Sequence, residues 1–194
     1  MGGRSHIRYA INILPNDDIR RRVPRGMQSA ATSLLLAQMA EQYTPVHASS
    51  KSHSRSVGAV AVGTTPGLLL GIDVEWMAPD RPYSQIAQAF LGEQDKELDA
   101  PAFYRGWTFY EAYYKAFQRF PGAPLVRTVI KHTRDDSPLH LDGGIGALLR
   151  CVEGDFQLCI VWQHATQQCV ATRNATTGHN RGYATRWSTT ERTK

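Results

Sequence analysis

The stretch VGAVAVGTTPGLLLGIDVE, residues 57–75, decides the fold. Residues 57–63 contain only Val, Ala and Gly, a composition typical of a strand buried on both faces. Residues 64–67, Thr-Thr-Pro-Gly, predict a turn. Residues 68–75 begin with three leucines and end in alternating apolar and acidic residues, so we expect a hairpin whose second strand starts in the core and emerges at an edge.

Other strands and helices surround this hairpin. Alternation of apolar and polar residues predicts a strand at 7–13, and a Pro-, Ser- and His-rich composition predicts a loop at 44–55. Apolar residues at spacings of three and four predict three helices, at 27–43, 83–91 and 101–120. Four further strands are expected, at 126–131, 146–152, 156–163 and 169–172. The fold class predicted by this order is α+β.

The length and composition limit the organisation of the chain. With 194 residues, 42% hydrophobic and 20% charged, the chain suits one globular domain or two small lobes. Pro79 and Pro82 mark a boundary, which predicts an N-terminal lobe at 1–78 and a C-terminal lobe at 79–171. Residues 172–194 form a basic, polar tail that we expect to be disordered.

The charge and the cysteines exclude several classes of protein. The tail carries +4 of the net charge of +5, so the rest of the chain is nearly neutral and nucleic acid is not an expected partner. No apolar run approaches the roughly 20 residues that cross a membrane, and no secretory signal is present, which predicts a cytoplasmic protein. Three widely spaced cysteines indicate reduced thiols rather than disulfides or a zinc cluster.

Two carboxylates stand at the end of the second hairpin strand. Asp73 and Glu75 are two residues apart and project from the same face of a strand, directly after an apolar run. Like charges at the border of a core need a compensating cation, and carboxylate oxygens favour Mg²⁺ or Mn²⁺. The alternative from this motif alone is an edge pair solvated at a turn.

The helix at 101–120 carries the second candidate group. Trp107, Glu111 and Lys115 lie along one face at steps of four, among many aromatic residues that indicate a packed helix. This stripe of an aromatic, an acidic and a basic side chain therefore suggests that the helix face lines a cleft. The alternative is an exposed Glu-Lys pair, worth only about 0.3–0.5 kcal/mol.

Two further groups have phosphate-binding chemistry. His53, within Ser52-His53-Ser54, precedes the 57–63 strand and is a possible donor to phosphate, or a solvated loop histidine. The arginines of residues 20–25 could bind phosphate or form a solvated turn. The sequence contains no glycine-rich phosphate loop, dinucleotide fingerprint, His-Glu-x-x-His motif or Gly-x-Ser-x-Gly turn.

Taken together, Gly71-Ile72-Asp73-Val74-Glu75 and Trp107-Thr108-Phe109-Tyr110-Glu111-Ala112-Tyr113-Tyr114-Lys115 resemble the paired signature of the 4′-phosphopantetheinyl transferases. Ser52-His53-Ser54 ahead of a Val/Ala strand resembles the Ser-His element of the larger, surfactin-synthetase-activating type. The resemblance covers roughly residues 46–120. It implies a monomer of two similar lobes related by a pseudo-twofold axis, each a small, mostly antiparallel sheet packed with a long helix, with coenzyme A between them.

The resemblance also implies an activity and a set of site residues. The 4′-phosphopantetheine group of coenzyme A would be transferred to a serine of an apo acyl or peptidyl carrier protein, releasing 3′,5′-ADP. Asp73, Glu75 and Glu111 would hold Mg²⁺, with Mn²⁺ possible, and Glu111 would also act as base. Lys115 would be catalytic and would bind the phosphates of coenzyme A, and His53 would bind a phosphate from the other lobe.

The sequence departs from the family pattern at two places. Tyr110 stands where members often have Lys, and residues 44–51 lack the usual Gly-Lys-Pro element. Lys51 or the arginines of residues 20–25 would then bind coenzyme A. The acidic carrier would meet arginines near the cleft, namely Arg81, Arg105 or Arg119. Two alternatives stay open: a degenerate, non-catalytic module that binds carrier protein or coenzyme A, and a different Mg²⁺-dependent phosphotransferase or nucleotide hydrolase that reached Asp-x-Glu by convergence.

Overall fold

The computed structural model describes residues 7–15, 18–92, 98–132 and 136–164. Within these residues the fold is α+β, as predicted, with two antiparallel sheets and four helices. The strands are β1 (Ile7–Ile13), β2 (Ala48–Ser54), β3 (Val57–Gly63), β4 (Leu68–Trp76), β5 (Leu139–Leu141), β6 (Ile145–Val152) and β7 (Phe156–His164). The helices are α1 (Arg25–Gln42), α2 (Tyr83–Leu91), α3 (Ala100–Phe117) and α4 (Ala123–Lys131).

The first sheet has the strand order β1-β3-β2, and β3 is buried along its whole length. Its Val60 and Val62 pack with Met39 of α1. Its other face, with Ala59 and Ala61, packs into the core of the second sheet. The Val/Ala/Gly composition of β3 thus fits a central strand covered on both faces, as predicted.

The second sheet has the strand order β4-β7-β6-β5 and lies between the first sheet and α3. The face toward α3 includes Leu149, Cys159 and Val161, which pack with Phe109 and Ala112 of the helix. Apolar residues of β4, β6 and β7 on the opposite face join the core shared with β3. The long helix α3 is therefore set directly on the sheet that carries the acidic motif.

The ends of α3 follow from local chemistry. Asp99 is the N-cap, and its side chain accepts a hydrogen bond from the backbone N–H of Ala102 at 2.7 Å. Pro101 stands in the first turn, where its missing N–H costs nothing. Gln118 ends the helix in a left-handed conformation, with φ of 55°.

Three predictions about secondary structure are wrong. Residues 44–55 are not all loop, because β2 occupies Ala48–Ser54 and pairs with β3. The strand predicted at 126–131 is the C-terminal part of α4, whose Val126 and Val129, three apart, are buried together. The expected hairpin does not form, since β3 is already paired on both edges and β4 pairs with β7 instead.

Some predictions are left as they stand. The strand expected at 169–172 and the tail at 172–194 lie outside the described residues. The lobe boundary after residue 78 stays a prediction, although β4, on its N-terminal side, pairs with β7 on its C-terminal side. None of the helices in the described ranges is both long and apolar enough to cross a bilayer.

Candidate active site

Asp73 is the buried centre of the candidate site. It lies on β4, and its residue is 4% exposed. Its Oδ1 accepts hydrogen bonds from Ser52 Oγ at 2.7 Å and from Lys115 Nζ at 2.8 Å. Its Oδ2 is buried and has no hydrogen-bond partner within the described part of the chain. Burial raises the pKa of Asp73, while Lys115, Ser52 and a backbone hydrogen bond with Val74 oppose that rise.

Lys115 joins the acidic strand to α3. Its ammonium group donates both to Asp73 and to the carbonyl oxygen of Ile72, at 3.1 Å. The side chain is 29% exposed, so the pair is partly open to solvent on the lysine side only. The structure thus pairs Lys115 with an acid of β4, which differs from a solvated pair with Glu111 on its own helix.

Glu75 has several polar neighbours of its own. Its Oε2 accepts a hydrogen bond from Ser54 Oγ at 3.3 Å and lies 3.6 Å from Arg81 Nη2. The Trp107 indole also lowers the pKa of Glu75, although its buried Nε1 makes no hydrogen bond of normal geometry within the described residues. Burial and then the charge of Asp73 nevertheless raise that pKa.

Glu111 is half-buried on α3 and is electrostatically coupled to the strand. Burial and the negative charge of Asp73 raise its pKa, and Lys115 lowers it. Asp73 therefore influences both other carboxylates, Glu75 and Glu111. The three acids singled out in the sequence are brought into one electrostatic group.

A divalent cation suits the donor chemistry of this group. All three acids offer hard oxygen ligands, and Asp73 Oδ2 is buried without a partner among the described residues. Bound positive charge would favour the ionised acids against the burial that raises all three pKa values, and against the repulsion from Asp73 that adds to it at Glu75 and Glu111. In the described ranges, however, no group of three or more His, Cys, Asp or Glu side chains is arranged closely enough to hold a metal. The fit therefore rests on the donor types and on the orphaned Oδ2.

A cavity of about 710 Å³ opens beside Glu75. Four arginines line it, against that single acid: Arg22, Arg25, Arg55 and Arg81. Arg55 lies over the ring of Trp76, also in the wall, with its guanidinium carbon 4.1 Å from the ring centroid. The excess of positive charge suits an anionic ligand with several phosphate or carboxylate groups.

The candidate phosphate ligands from the sequence divide into two sets. His53, Arg22 and Arg25 line this cavity, whereas Lys51 lies outside its lining and donates to Ser33 Oγ at 2.7 Å. Burial lowers the pKa of His53, and the positive charge of Lys115 lowers it too, against a backbone hydrogen bond that raises it. A lowered pKa favours the neutral form of His53, in which the ring offers one N–H donor to the cavity.

The three arginines considered for carrier binding have different environments. Arg81 lines the cavity beside Glu75. Arg105 donates to the carbonyl oxygen of Ile130, at 3.2 Å, and so holds α3 to α4. Arg119 is exposed just after α3.

Sequence reasoning missed the serine hydroxyls of β2. Ser52 and Ser54 bind the two acids of β4, whereas the residues predicted from the sequence as ligands in this segment are His53 and Lys51. The signal was present in the sequence Ser50-Lys51-Ser52-His53-Ser54, where serine recurs at every second residue. Such a period places the hydroxyls on one face of a strand, but the segment was interpreted as a loop.

A comparison with protein-family models finds no match, and a comparison with curated proteins finds none either. The functional case therefore depends on the motifs and on the geometry around Asp73.

Proposed function

We propose that the protein transfers the 4′-phosphopantetheine group of coenzyme A to a serine of an apo acyl or peptidyl carrier protein. The reaction depends on Mg²⁺ or Mn²⁺ and releases 3′,5′-ADP. One observation carries the proposal: Glu75, which is electrostatically coupled to Asp73 as Glu111 is, lines a cavity together with four arginines. This combination suits a substrate that has both a pyrophosphate and a further phosphate group.

The cavity supports binding of the nucleotide part of coenzyme A. Its volume of about 710 Å³ falls within the range of roughly 300–1,000 Å³ typical of small-molecule sites. Arg22, Arg25 and His53 line it and offer donors to phosphate oxygens. These arginines, rather than Lys51, which does not line the cavity, are proposed to replace the missing Gly-Lys-Pro element.

The acids and Lys115 provide the transfer chemistry. A cation on the three carboxylates would neutralise pyrophosphate oxygens and make the β-phosphorus more electrophilic. Glu111 accepts the proton of the carrier serine, a role that its raised pKa favours at neutral pH. The serine oxygen then bonds to the β-phosphorus, the bond to the bridging oxygen breaks, and 3′,5′-ADP departs with that electron pair. Lys115 stabilises negative charge on the phosphates as it develops.

The fold adds support of a coarser kind. One long helix packs on each sheet, α1 on the first and α3 on the second. We propose that the chain forms two similar lobes related by a pseudo-twofold axis and divided after residue 78, within a cytoplasmic monomer. That arrangement, and membership of the transferase family, are parts of the same proposal.

The surface beside Glu111 suits a protein substrate. Tyr110 and Tyr114 of α3 both stack on Phe120, with ring centroids 4.5 Å and 4.6 Å apart. Phe120 is 52% exposed and Tyr114 is 37% exposed, so the stack offers apolar area to a partner. A carrier whose serine reaches Glu111 covers this surface, and Arg119 next to it favours an acidic partner.

Intact-mass spectrometry tests the proposal. Purified protein is incubated with coenzyme A, Mg²⁺ and a panel of apo carrier proteins, with EDTA in a parallel series. We expect a metal-dependent mass gain of one phosphopantetheine group on at least one carrier. Asp73→Asn should abolish this gain, and Asp142→Asn, a change at an exposed residue outside the site, should leave it intact.

A second candidate function is a non-catalytic module that binds coenzyme A or carrier protein. It is favoured by the contact of Lys115 with Asp73 and by the lack, in the described residues, of a close three-ligand metal group. Calorimetry separates the two functions: coenzyme A binding without transfer to any carrier supports the module. Absence of transfer, together with absence of binding to coenzyme A and to every carrier, contradicts both functions.

A further inference from the structure

The serines of β2 are hydrogen-bonded to the edge of β4. Although β2 and β4 belong to different sheets, Ser50 Oγ accepts a hydrogen bond from the Ile72 backbone N–H at 3.1 Å. Ser54 Oγ accepts one from the Trp76 N–H at 3.0 Å. These hydroxyls satisfy backbone donors on the edge of the second sheet and hold β4 beside β2.

The same row of serines also reaches the carboxylates. Ser52 Oγ donates to Asp73 Oδ1 at 2.7 Å, and Ser54 Oγ donates to Glu75 Oε2 at 3.3 Å. Each acid of the motif thus has one hydroxyl partner on β2. The matching two-residue periods of β2 and β4 bring these pairs together.

The hydrogen bonds to Asp73 are unevenly distributed. Ser52 Oγ and Lys115 Nζ both bind Oδ1, from β2 and from α3 respectively. Two donors on one oxygen, from different elements, fix the rotation of the carboxylate. The second oxygen, Oδ2, is left buried and unpartnered within the described residues, at a cost in free energy.

We infer that Ser52 and Ser54 are positioning residues that orient Asp73 and Glu75 toward a divalent cation. The cation is that of the proposed transferase, so the inference rests on that function. Ser52 holds Oδ1 of Asp73 and thereby presents Oδ2 as a ligand, while Ser54 restrains Glu75. A carboxylate held in this way loses less conformational freedom when it binds the cation.

The two serines differ in how cleanly they can be tested. Ser54 binds both Glu75 and the Trp76 N–H, so its removal also leaves a backbone donor without its partner. Among the hydrogen bonds to β4, that of Ser52 is made to the Asp73 carboxylate alone. Ser52→Ala is therefore the primary variant, and Ser52→Thr keeps a hydroxyl group at the same position.

Mn²⁺ binding is the direct measurement. Free Mn²⁺ is followed by electron paramagnetic resonance in the presence of coenzyme A and without a carrier, so that no turnover occurs. We expect Ser52→Ala to weaken Mn²⁺ binding by about 10- to 100-fold, the usual effect of losing a hydrogen bond to a metal ligand. Ser52→Thr should restore most of the affinity. Ser33 of α1 accepts a hydrogen bond from Lys51 of β2 and makes no hydrogen bond to the acids within the described residues. The control variant Ser33→Ala should therefore bind Mn²⁺ like the unchanged protein.

Activity provides a second readout. In Ser52→Ala, the Mg²⁺ concentration for half-maximal transfer should rise, while kcat at saturating Mg²⁺ stays close to that of the unchanged protein. A merely structural role would instead lower the unfolding midpoint in urea without changing this Mg²⁺ requirement. If Ser52→Ala does not fold, Ser54→Ala is measured in the same way.

The outcomes separate this inference from the proposed function. Unchanged Mn²⁺ affinity in a folded Ser52→Ala or Ser54→Ala protein overturns the positioning role, as does failure of the unchanged protein to bind Mn²⁺. Mn²⁺ binding that depends on Ser52, in a protein that modifies no carrier, overturns the transferase but keeps the positioning role.

Discussion

Replacing Gly71 by alanine should disturb the contact between β4 and α3 on which the site depends. A Cβ atom at this position would lie 2.8 Å from the backbone nitrogen of Ala116 and 3.0 Å from the carbonyl carbon of Ala112. The carbonyl oxygen of Ala112 would be closer still. These are backbone atoms of α3, so no side chain can rotate away and the helix itself must move.

The size of the effect follows from that clash. Ordinary contacts begin near 3.4 Å, so α3 must shift from β4 by on the order of 1 Å. Overpacking of this kind costs about 1–3 kcal/mol, and the backbone contacts put Gly71→Ala at the upper end. The shift also separates Lys115 from Asp73, now 2.8 Å apart, and moves Glu111. A misplacement of about 1 Å lowers a rate by roughly 10²-fold.

Urea unfolding and transfer kinetics measure the two parts of this prediction. Gly26→Ala in the first turn of α1 is the matched control, because nothing lies within 4 Å of the added methyl group. It should leave activity unchanged and raise stability by up to about 1 kcal/mol. If Gly71→Ala unfolds at the same urea concentration as the unchanged protein and transfers at the same rate, α3 does not rest on Gly71 as described.

Three further predictions concern the site itself. Since burial raises the pKa of Asp73, the folded state keeps that proton longer than the unfolded chain as pH rises from about 4, and the free energy of unfolding falls over that range. Asp73→Asn should therefore flatten this dependence in urea titrations at several pH values, and a slope equal to that of the unchanged protein would contradict it. Glu111→Gln should alter the Mg²⁺ dependence of transfer, whereas Lys115→Ala should chiefly lower kcat; near-normal kinetics for both would leave the stripe as a structural feature. Arg25→Ala should raise the KM for coenzyme A by about 10-fold or more, as expected for a charge-assisted hydrogen bond worth about 1.5–3 kcal/mol, and Lys51→Ala should not; equal effects would exclude the cavity as the phosphate site.

The sequence predicted those parts of the fold that depend on local periodicity. The buried strand at 57–63 and the helix that begins near residue 100 have patterns that a single element can satisfy by itself. The strand β2 was not predicted, because its alternating residues are serines rather than apolar residues. Its polarity is explained only by β4, whose edge donors and acids bind those serines, and a long-range partner of this kind leaves no local signal.

Helix α4 was not predicted either, because its residues have the propensity of a strand. Residues 126–131 contain three β-branched apolar residues and a threonine, which favour a strand by propensity. In the structure, Ile130 and Val126 pack against Gly106 of α3, where the absence of a side chain admits them. Tertiary packing thus outweighs propensity here. No residue near 126 indicates the space beside Gly106 of α3 that makes this packing possible.

The site geometry was predicted only in part, for a related reason. The period of two on β4 and of four on α3 indicated which acids share a face, but not that Lys115 would reach across to Asp73. Nor could these periods show that Arg22 and Arg25, far from the motif in sequence, line the cavity beside Glu75. Contacts between elements depend on how the sheets pack, which the spacing within one element does not contain.

The acidic group is costly for the fold, and that cost is itself an argument for function. Asp73 lies between Ile72 and Val74, two fully buried residues, and its pKa is raised because the charged form is poorly solvated. One of its oxygens lacks a partner within the described residues, and its charge raises the pKa of Glu75 and of Glu111 as well. An uncharged residue at this position would avoid these penalties. Sequences break such local rules mainly where a site requires it, and a ligand that binds Oδ2 would turn this unfavourable arrangement into affinity.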